Sequence, residues 1–166
     1  MIRILTEKDA NDYWNIYLQA LQTDADSFIT TYEEEIKRDQ PIKYIAQNLC
    51  IQDKYTYGAY NENRELVGIM TLYREQILAR RHKGHIISMY ILPKSRGKGY
   101  ACHLMKVGIL KAKELNIEQI NLTVTSNNNI AKRLYGTFGF KTYGVEEKGL
   151  KVNNQYRNGE HMVLFL

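Results

Sequence analysis

The residues best suited to chemistry form a short basic loop, Lys94 to Gly99, between two apolar patterns. The preceding run, Ile86 to Leu92, is apolar and typical of a strand, whereas apolar residues from Tyr100 to Leu115 recur at helical spacing. Free N–H groups and the positive dipole end at a helix N-terminus attract phosphate. Glycines at 97 and 99 let the backbone approach such a ligand closely. The stretch therefore predicts a phosphate-binding loop.

The remaining periodicities predict the elements that position this loop. Strands are expected over 2–5, 54–60, 65–73, 119–125 and 140–145, with a last, interrupted pair over 150–152 and 161–166 and a turn at 153–154. Thr6 and Asp9 form a variant capping box before a first helix that reaches Leu21. Further helices are expected over 32–39, from Pro41 to Leu49, and over 130–138.

The order of these elements predicts an α/β (α+β) fold. The unit from Ile86 to Thr125 reads strand, long helix, strand, which predicts a right-handed parallel crossover. The strands before it form a meander, so we expect a mixed sheet with helices on both faces. With 166 residues and neither a repeat nor a linker, the chain is expected to be one domain, residues 1–166.

Composition narrows the class of protein. A hydrophobic fraction of 44% supports a sizeable core, and the net charge of +5 is modest and contains no long basic run, so no nucleic-acid partner is expected. No apolar run approaches ~20 residues and the N-terminus lacks a signal-peptide pattern, which predicts a cytoplasmic protein without a membrane partner. The two cysteines and four histidines show no metal-ligand spacing, so no metal is expected.

Two motifs resemble those of the GNAT family, the Gcn5-related N-acetyltransferases. The family's phosphate loop is Q/R-x-x-G-x-G/A, and Arg96, Gly99 and Ala101 occupy its fixed positions. The second family stretch, N-x-x-A-x-x-L-Y followed by G-F, is matched by Asn128, Ala131, Leu134, Tyr135, Gly139 and Phe140. Both occur in order and in the expected context, and the element order fits nearly the whole chain. The likeness is weakest in the first helices and the C-terminal strands.

The resemblance implies a GNAT-like fold: a central mixed, mostly antiparallel sheet in which two parallel strands, 86–92 and 119–125, splay apart. It implies an enzyme, an acetyl-coenzyme A-dependent N-acetyltransferase that needs no metal. The acetyl group of the co-substrate acetyl-CoA would pass to a primary amine of a small molecule or peptide by direct attack in a ternary complex. Dimers are common in the family, so a homodimer is among the assemblies to test.

The resemblance also implies which residues hold the coenzyme. The backbone of the central strand would pair with the pantetheine arm through Met89, Tyr90 and Ile91. Backbone N–H groups of the loop would hold the pyrophosphate, namely those of Arg96, Gly97, Lys98, Gly99, Tyr100 and Ala101. The positive side chains of Arg96 and Lys98 would bind the pyrophosphate and the 3′-phosphate.

Catalysis would need an oxyanion donor, an acid and a base. The N–H of Met89 is a candidate oxyanion donor. Tyr135 resembles the family's general acid, which would protonate the departing thiolate. Asn128 would bond the coenzyme or a water in the proton path, and a helix cap is an equally weighted alternative.

The base stays unassigned at this point. A lysine-like amine near pKa ~10.4 must lose a proton at a cost of about 4.6 kcal/mol at pH 7. The central strand carries no carboxylate, and its polar residues are His85 and Ser88. The acidic run 33–35 would attract a cationic amine, but a solvated helix start is the favoured interpretation. The acceptor pocket is expected to involve Tyr32, Tyr73 and Tyr156.

Two other functions compete with the transferase. A dinucleotide-binding domain would share Gly97-x-Gly99 after a strand, but Cys102 stands where the third glycine belongs, and no acidic residue ends the next strand. A non-catalytic acyl-CoA sensor or interaction module of the same fold is the second alternative. A P-loop hydrolase is excluded because no G-K-[ST] follows the loop.

Overall fold

The computed structural model describes residues 1–166 as a single sheet with helices on both of its faces. Its helices are α1 (Ala10–Thr23), α2 (Tyr32–Glu35), α3 (Pro41–Leu49), α4 (Tyr100–Glu114) and α5 (Asn129–Thr137). Its strands are β1 (Ile2–Ile4), β2 (Lys54–Tyr60), β3 (Leu66–Arg74), β4 (Lys83–Ile91), β5 (Gln119–Thr125), β6 (Lys141–Val152) and β7 (Gln155–Phe165).

The seven strands lie in the order β1-β2-β3-β4-β5-β7-β6. Only β4 and β5 pair in parallel, and every other neighbouring pair is antiparallel. A parallel pair needs a crossover, and α4 supplies it between β4 and β5. The predicted mixed, mostly antiparallel sheet is confirmed.

The two faces of the sheet carry separate hydrophobic cores. One core of 16 buried residues joins β2 to β5 with α4 and α5, and includes Leu104, Met105 and Tyr135. The other, of 11 buried residues, joins α1 and α3 to the opposite face through residues such as Ile16, Ile45, Ile69 and Tyr90. Strand residues alternate between the cores because successive side chains point to opposite faces.

Several features predicted from neighbouring residues are present in the structure. Thr6 and Asp9 form the predicted capping box before α1, and Pro41 lies in the first turn of α3. Gly108 lies in mid-helix against the sheet, where a Cβ would come 2.6 Å from Met70 Cε. The close packing therefore explains a residue that costs a helix ~1 kcal/mol relative to alanine.

Two predicted elements differ from the structure. The helix expected over 32–39 is a single turn, Tyr32–Glu35. The strand expected to end at Val145 continues to Val152, so β6 is unbroken. Its pairing with β7 is irregular between Glu146 and Leu150, and such a bulge disrupts the period-2 pattern that a sequence reading relies on. The β6–β7 turn is at Asn153-Asn154 as predicted, with φ of 49° and 61°.

No helix in the structure has both the length and the apolar character that crossing a bilayer requires.

Candidate active site

A cleft opens where the parallel strands β4 and β5 separate. The two strands pair only at Lys83–Gln119, Gly84–Ile120 and His85–Asn121, and beyond these residues they splay apart as predicted. The cleft at this opening has a volume of about 1150 Å³. This exceeds the usual ~300–1,000 Å³ of a small-molecule pocket, so the cleft has room for a large ligand.

A β-bulge lies in the wall of the cleft. The β3–β4 register shifts between Ile69 and Thr71, so that Met70 faces both Ser88 and Met89. Ser88 has φ of 55°, a conformation that residues other than glycine rarely adopt. The bulge interrupts the regular pairing of β3 with β4 at Ser88 and Met89. The N–H of Met89 is the predicted oxyanion donor. Both Ser88 and Met89 line the cleft.

The predicted phosphate loop lies at the mouth of the cleft. After β4 the chain forms a single 3₁₀ turn, Pro93–Ser95, and Gly97 and Gly99 follow with φ of 75° and 80°. No atom lies within 4 Å of a Cβ built on Gly97, so the positive φ, rather than lack of space, requires glycine there. Gly99 precedes α4, whose first N–H groups have no helical partner and are free for a ligand.

The N–H of Arg96 is not free in this way, because it donates to the carbonyl of Pro93 at 3.3 Å. The predicted set of phosphate donors, Arg96 to Ala101, therefore narrows to the N–H groups from Gly97 onward. Of the predicted coenzyme residues, those that line the cleft are Met89, Tyr90, Ile91, Arg96, Gly97, Gly99, Tyr100, Ala101, Asn128 and Tyr135. Lys98 is exposed on the loop and does not line the cleft.

The guanidinium of Arg96 differs from the prediction. Its Nε donates to the carbonyl of Ile91 at 3.0 Å, and its Nη2 is ion-paired with Asp24, just after α1. The group also lies 5.7 Å from the ring centre of Tyr90, whose hydroxyl bonds Thr23 at 2.7 Å. Arg96 therefore joins the loop to the end of α1 instead of extending toward a phosphate.

Tyr135 lies on α5 and is only 7% exposed, packed at a centroid distance of 6.0 Å from the ring of Phe140. Burial raises the pKa of the Tyr135 phenol to about 12. The phenol therefore keeps its proton at neutral pH and acts only as a donor or as the acceptor of a weak bond. Tyr135 lines the cleft, and its role as donor to a leaving group stays a prediction.

Asn128 is the cap of α5. Its side-chain oxygen accepts a bond from the N–H of Ala131 at 3.1 Å, which is the alternative that the sequence left open. Since the oxygen is the capping atom, the amide NH₂ group is the part of Asn128 available to a ligand. Capping and coenzyme contact are therefore compatible in one side chain.

Sequence reasoning missed three polar residues of the cleft wall. The hydroxyl of Thr123 on β5 lies 3.0 Å from Nδ1 of His161 on β7. Nε2 of the same ring lies 3.4 Å from the carboxylate of Glu146 on β6. All three residues line the cleft. No local motif marks them, because strand pairing alone brings residues 38 positions apart into contact.

A second, smaller cavity of about 140 Å³ adjoins the bulge on the side of α1 and α3. It is lined by Tyr13, Tyr17, Glu35, Tyr44, Ile45, Asn48, Leu49, Lys54, Thr56 and Ser88. Glu35 is 4% exposed and accepts two bonds of 2.8 Å from Arg38, so it is neither solvated nor free for a cationic amine. Glu34 instead caps α2 through Thr31.

The three tyrosines predicted for an acceptor pocket, Tyr32, Tyr73 and Tyr156, line neither cavity. His85, on the central strand, bonds Glu75 at 2.9 Å and also lies outside both. Of the polar residues named on the central strand, only Ser88 reaches the cleft. Ser88 lines the smaller cavity as well, so the bulge lies between the cleft and the smaller cavity.

Comparison with known proteins places the chain among acetyltransferases. The model of the acetyltransferase (GNAT) family matches residues 14–140. A curated relative, "GCN5-related N-acetyltransferase 6, chloroplastic" of Arabidopsis thaliana, is 31% identical over 58 residues, which are 35% of this chain and 20% of that protein. The match thus covers only a fifth of the relative's length.

Solved structures share the fold over the whole chain. The crystal structure of a GNAT-family acetyltransferase from Streptococcus pneumoniae has a TM-score of 0.84 at 21% identity, covering 100% of this chain and 99% of that one. A phosphinothricin acetyltransferase of the GNAT superfamily from Sinorhizobium meliloti, solved in complex with acetyl-CoA, has a TM-score of 0.84 at 18% identity, covering 100% and 88%. At these identities the likeness establishes the fold.

Proposed function

Because this chain belongs to the acetyltransferase (GNAT) family, we propose that it is an N-acetyltransferase that uses acetyl-CoA to acetylate a primary amine. The donor binds in the cleft, and the amine attacks it directly in a ternary complex. The observation that carries this proposal is that one cleft contains the glycine loop, the β4 bulge and Tyr135. The acetyl-CoA complex of the Sinorhizobium relative supports the choice of donor.

The described residues fit the parts of such a donor. The N–H groups from Gly97 to Ala101, at the start of α4, suit a pyrophosphate. The edges of β4 and β5, which are unpaired beyond His85 and Asn121, offer backbone groups to an amide-containing arm. The N–H of Met89 at the bulge suits the carbonyl oxygen of a thioester as it becomes negative.

Tyr135 then supplies the proton for the departing sulfur. A phenol with a pKa of about 12 is ~3.5 units weaker than a thiol of pKa ~8.5, so complete transfer to a free thiolate costs about 4.8 kcal/mol. The sulfur is most basic once the C–S bond has broken, so the phenol first stabilises the developing negative charge with a hydrogen bond and gives up its proton late. Donation of a hydrogen bond along this path stabilises the leaving group throughout.

The same high pKa is the observation that favours the alternative, a non-catalytic acyl-CoA sensor of this fold, since a weak acid is a poor catalyst at neutral pH. Both functions predict binding of acetyl-CoA, and only the first predicts turnover.

The experiment is an acetyl-CoA assay over a panel of primary amines that includes polyamines, amino acids, small amines and peptide N-termini. The transferase predicts thiol release above the background of hydrolysis for at least one class. Thermal unfolding with acetyl-CoA serves as the companion measurement, with a stabilisation of ~2.7 kcal/mol at 100 times Kd. Stabilisation without thiol release would support the sensor, and no stabilisation would exclude both.

A further inference from the structure

Three polar side chains meet on neighbouring strands of the cleft wall. The hydroxyl of Thr123 lies 3.0 Å from His161 Nδ1, and His161 Nε2 lies 3.4 Å from Glu146 Oε2. Glu146 lies beside Nε2 at ion-pair distance, and because a carboxylate only accepts, its position favours the tautomer with hydrogen on Nε2. Nδ1 is then the acceptor for the hydroxyl. The resulting order of hydroxyl, imidazole and carboxylate is the order that withdraws a proton in a Ser-His-Asp triad.

The group lies where the strands have just separated. The last parallel pair is His85–Asn121, and two residues further along each strand Thr123 comes level with Ile87. The next residue of β4, Ser88, begins the bulge. Thr123 is therefore within about one strand residue of the expected position of the thioester carbonyl, and it is exposed to the cleft.

Thr123 also lies on the face of the sheet opposite to Tyr135. Its neighbours Leu122 and Val124 are buried in the same core as Tyr135. Successive residues of a strand alternate in direction, so the hydroxyl of Thr123 points to the other face. An amine that approaches from the Thr123 side reaches the carbonyl carbon from the face opposite to the Tyr135 phenol. Removal of a proton from the amine and donation of a proton to the sulfur would then occur on different faces and not compete.

Among the charged groups around the His161 imidazole, the carboxylate of Glu146 is the one that lies beside the ring. From β6, Tyr143 also packs on the ring, at a centroid distance of 6.1 Å. On β7 itself the residues on the same face are Gly159 and Val163, which carry no charge. Across the cleft, the carboxylates of the loop after α1 are each held by an arginine: Asp24 by Arg96, and Asp26 by Arg157.

We propose that Thr123, His161 and Glu146 form a proton relay that acts as the base for the acceptor amine. The proposal rests on the N-acetyltransferase function given above. As the amine nitrogen forms the C–N bond, its surplus proton passes to Thr123 Oγ1 while the hydroxyl proton of Thr123 passes to His161 Nδ1. The C–S bond breaks, the thiolate takes the proton of Tyr135, and solvent returns a proton from the imidazolium to the phenolate. Thr123 touches the reacting nitrogen; His161 and Glu146 are positioning and relay residues.

The test uses the panel amine with the fastest thiol release and follows kcat/KM against pH. An amine of pKa ~10 must itself be neutral, which gives log kcat/KM a slope of 1 near neutral pH. The wild type needs neutral His161 in addition, so its slope steepens to 2 on the acid side. His161→Gln is expected to lower kcat about 10²-fold or more, leave the KM for acetyl-CoA unchanged and keep a slope of 1 throughout.

Companion variants separate the relay from packing. Glu146→Gln is expected to lower kcat, because the imidazole loses the carboxylate that orients it. Thr123→Val is expected to reproduce the loss in His161→Gln, and Thr123→Ser to restore most of the rate. His85→Gln is the matched control, since His85 also bonds a glutamate but lies outside the cleft.

The outcomes are distinguishable. A wild-type slope pattern in His161→Gln, or an equal loss in His85→Gln, overturns the relay while the transferase function stands. A wild type that acetylates no amine overturns the proposed function, and the relay with it. The ¹⁵N shifts of His161 give an independent measurement: hydrogen on Nε2 is expected, and hydrogen on Nδ1 would overturn the relay whether or not an acceptor is found.

Discussion

The guanidinium of Arg96 is ion-paired with the carboxylate of Asp24, a residue 72 positions earlier in the chain. The pair joins the phosphate loop to the end of α1 at the mouth of the cleft. The motif implies a cation for the coenzyme at this position, but in the structure the charge is already neutralised. A bound phosphate therefore has to compete with Asp24 for Arg96.

This competition predicts that Asp24→Asn tightens the binding of coenzyme A. An exposed ion pair contributes ~0.2–1 kcal/mol, which corresponds to a decrease in Kd of up to about fivefold. Titration calorimetry at low and high salt measures it, and the gain is expected to shrink at high salt. Asp12→Asn, which removes the same charge from the start of α1, is the control. A weaker or unchanged Kd for Asp24→Asn would show that Arg96 serves the loop structurally.

The position of Tyr135 in the cleft wall predicts that Tyr135→Phe lowers kcat by about 10²–10⁴ and leaves the Kd of coenzyme A unchanged. The ring and its packing on Phe140 are retained, so only the proton donor is lost. Steady-state kinetics and calorimetry measure the two quantities. Tyr57→Phe, a tyrosine buried in the same core but outside the cleft, is the control. Full turnover in Tyr135→Phe would reduce this residue to a packing role.

The backbone of Gly99 predicts a cost for any side chain. Its φ of 80° is left-handed, and a Cβ would meet nothing closer than His103 Cε1 at 3.7 Å. Gly99→Ala is therefore expected to destabilise the fold by about 1–2 kcal/mol through backbone strain alone. Gly136→Ala, within α5 and with open space around its Cβ, is expected to stabilise the fold by up to ~1 kcal/mol. Urea unfolding compares them, and equal midpoints would contradict the strain argument.

The contact between Gly108 and Met70 predicts overpacking on substitution. A Cβ at residue 108 would lie 2.6 Å from Met70 Cε, inside a fully buried site. Overpacking in Gly108→Ala is expected to destabilise the fold by about 1–3 kcal/mol. The better helix propensity of alanine offsets ~1 kcal/mol of this cost. A double-mutant cycle with Met70→Val measures the coupling, which is expected to exceed ~0.5 kcal/mol. Additive effects would mean that the helix shifts instead of clashing.

Buried tyrosines predict a loss of stability at high pH. Burial raises the pKa of Tyr13 and of Tyr135 from 10 to about 12. Their stabilising contribution is complete below pH 10 and is lost as the pH rises through 12, because the unfolded chain releases these protons first. Urea midpoints from pH 8 to 12 measure it, and Tyr135→Phe is expected to reduce the slope. A midpoint that stays constant above pH 10 would contradict the assignment.

Features that depend on neighbouring residues were predicted well from the sequence. The capping box at Thr6, the start of α3 at Pro41 and the turn at Asn153 each follow from a few adjacent side chains. The phosphate loop and α5 also carry local motifs, so their place beside the cleft was expected. The exception, α2, ends after one turn and shows that periodicity alone does not determine the end of a helix.

The sequence by itself thus determined the class of fold, the family and the positions of the glycine loop and α5, because those depend on local periodicity and motif spacing. Tertiary structure decided the rest: the partner of Arg96, the bulge at Ser88, and the contact of Thr123 with His161 and Glu146. These arise from strand order and register, which bring together residues far apart in the chain. A shift of one residue in β7 would turn His161 to the opposite face of the sheet, and no local pattern around it records which register is adopted.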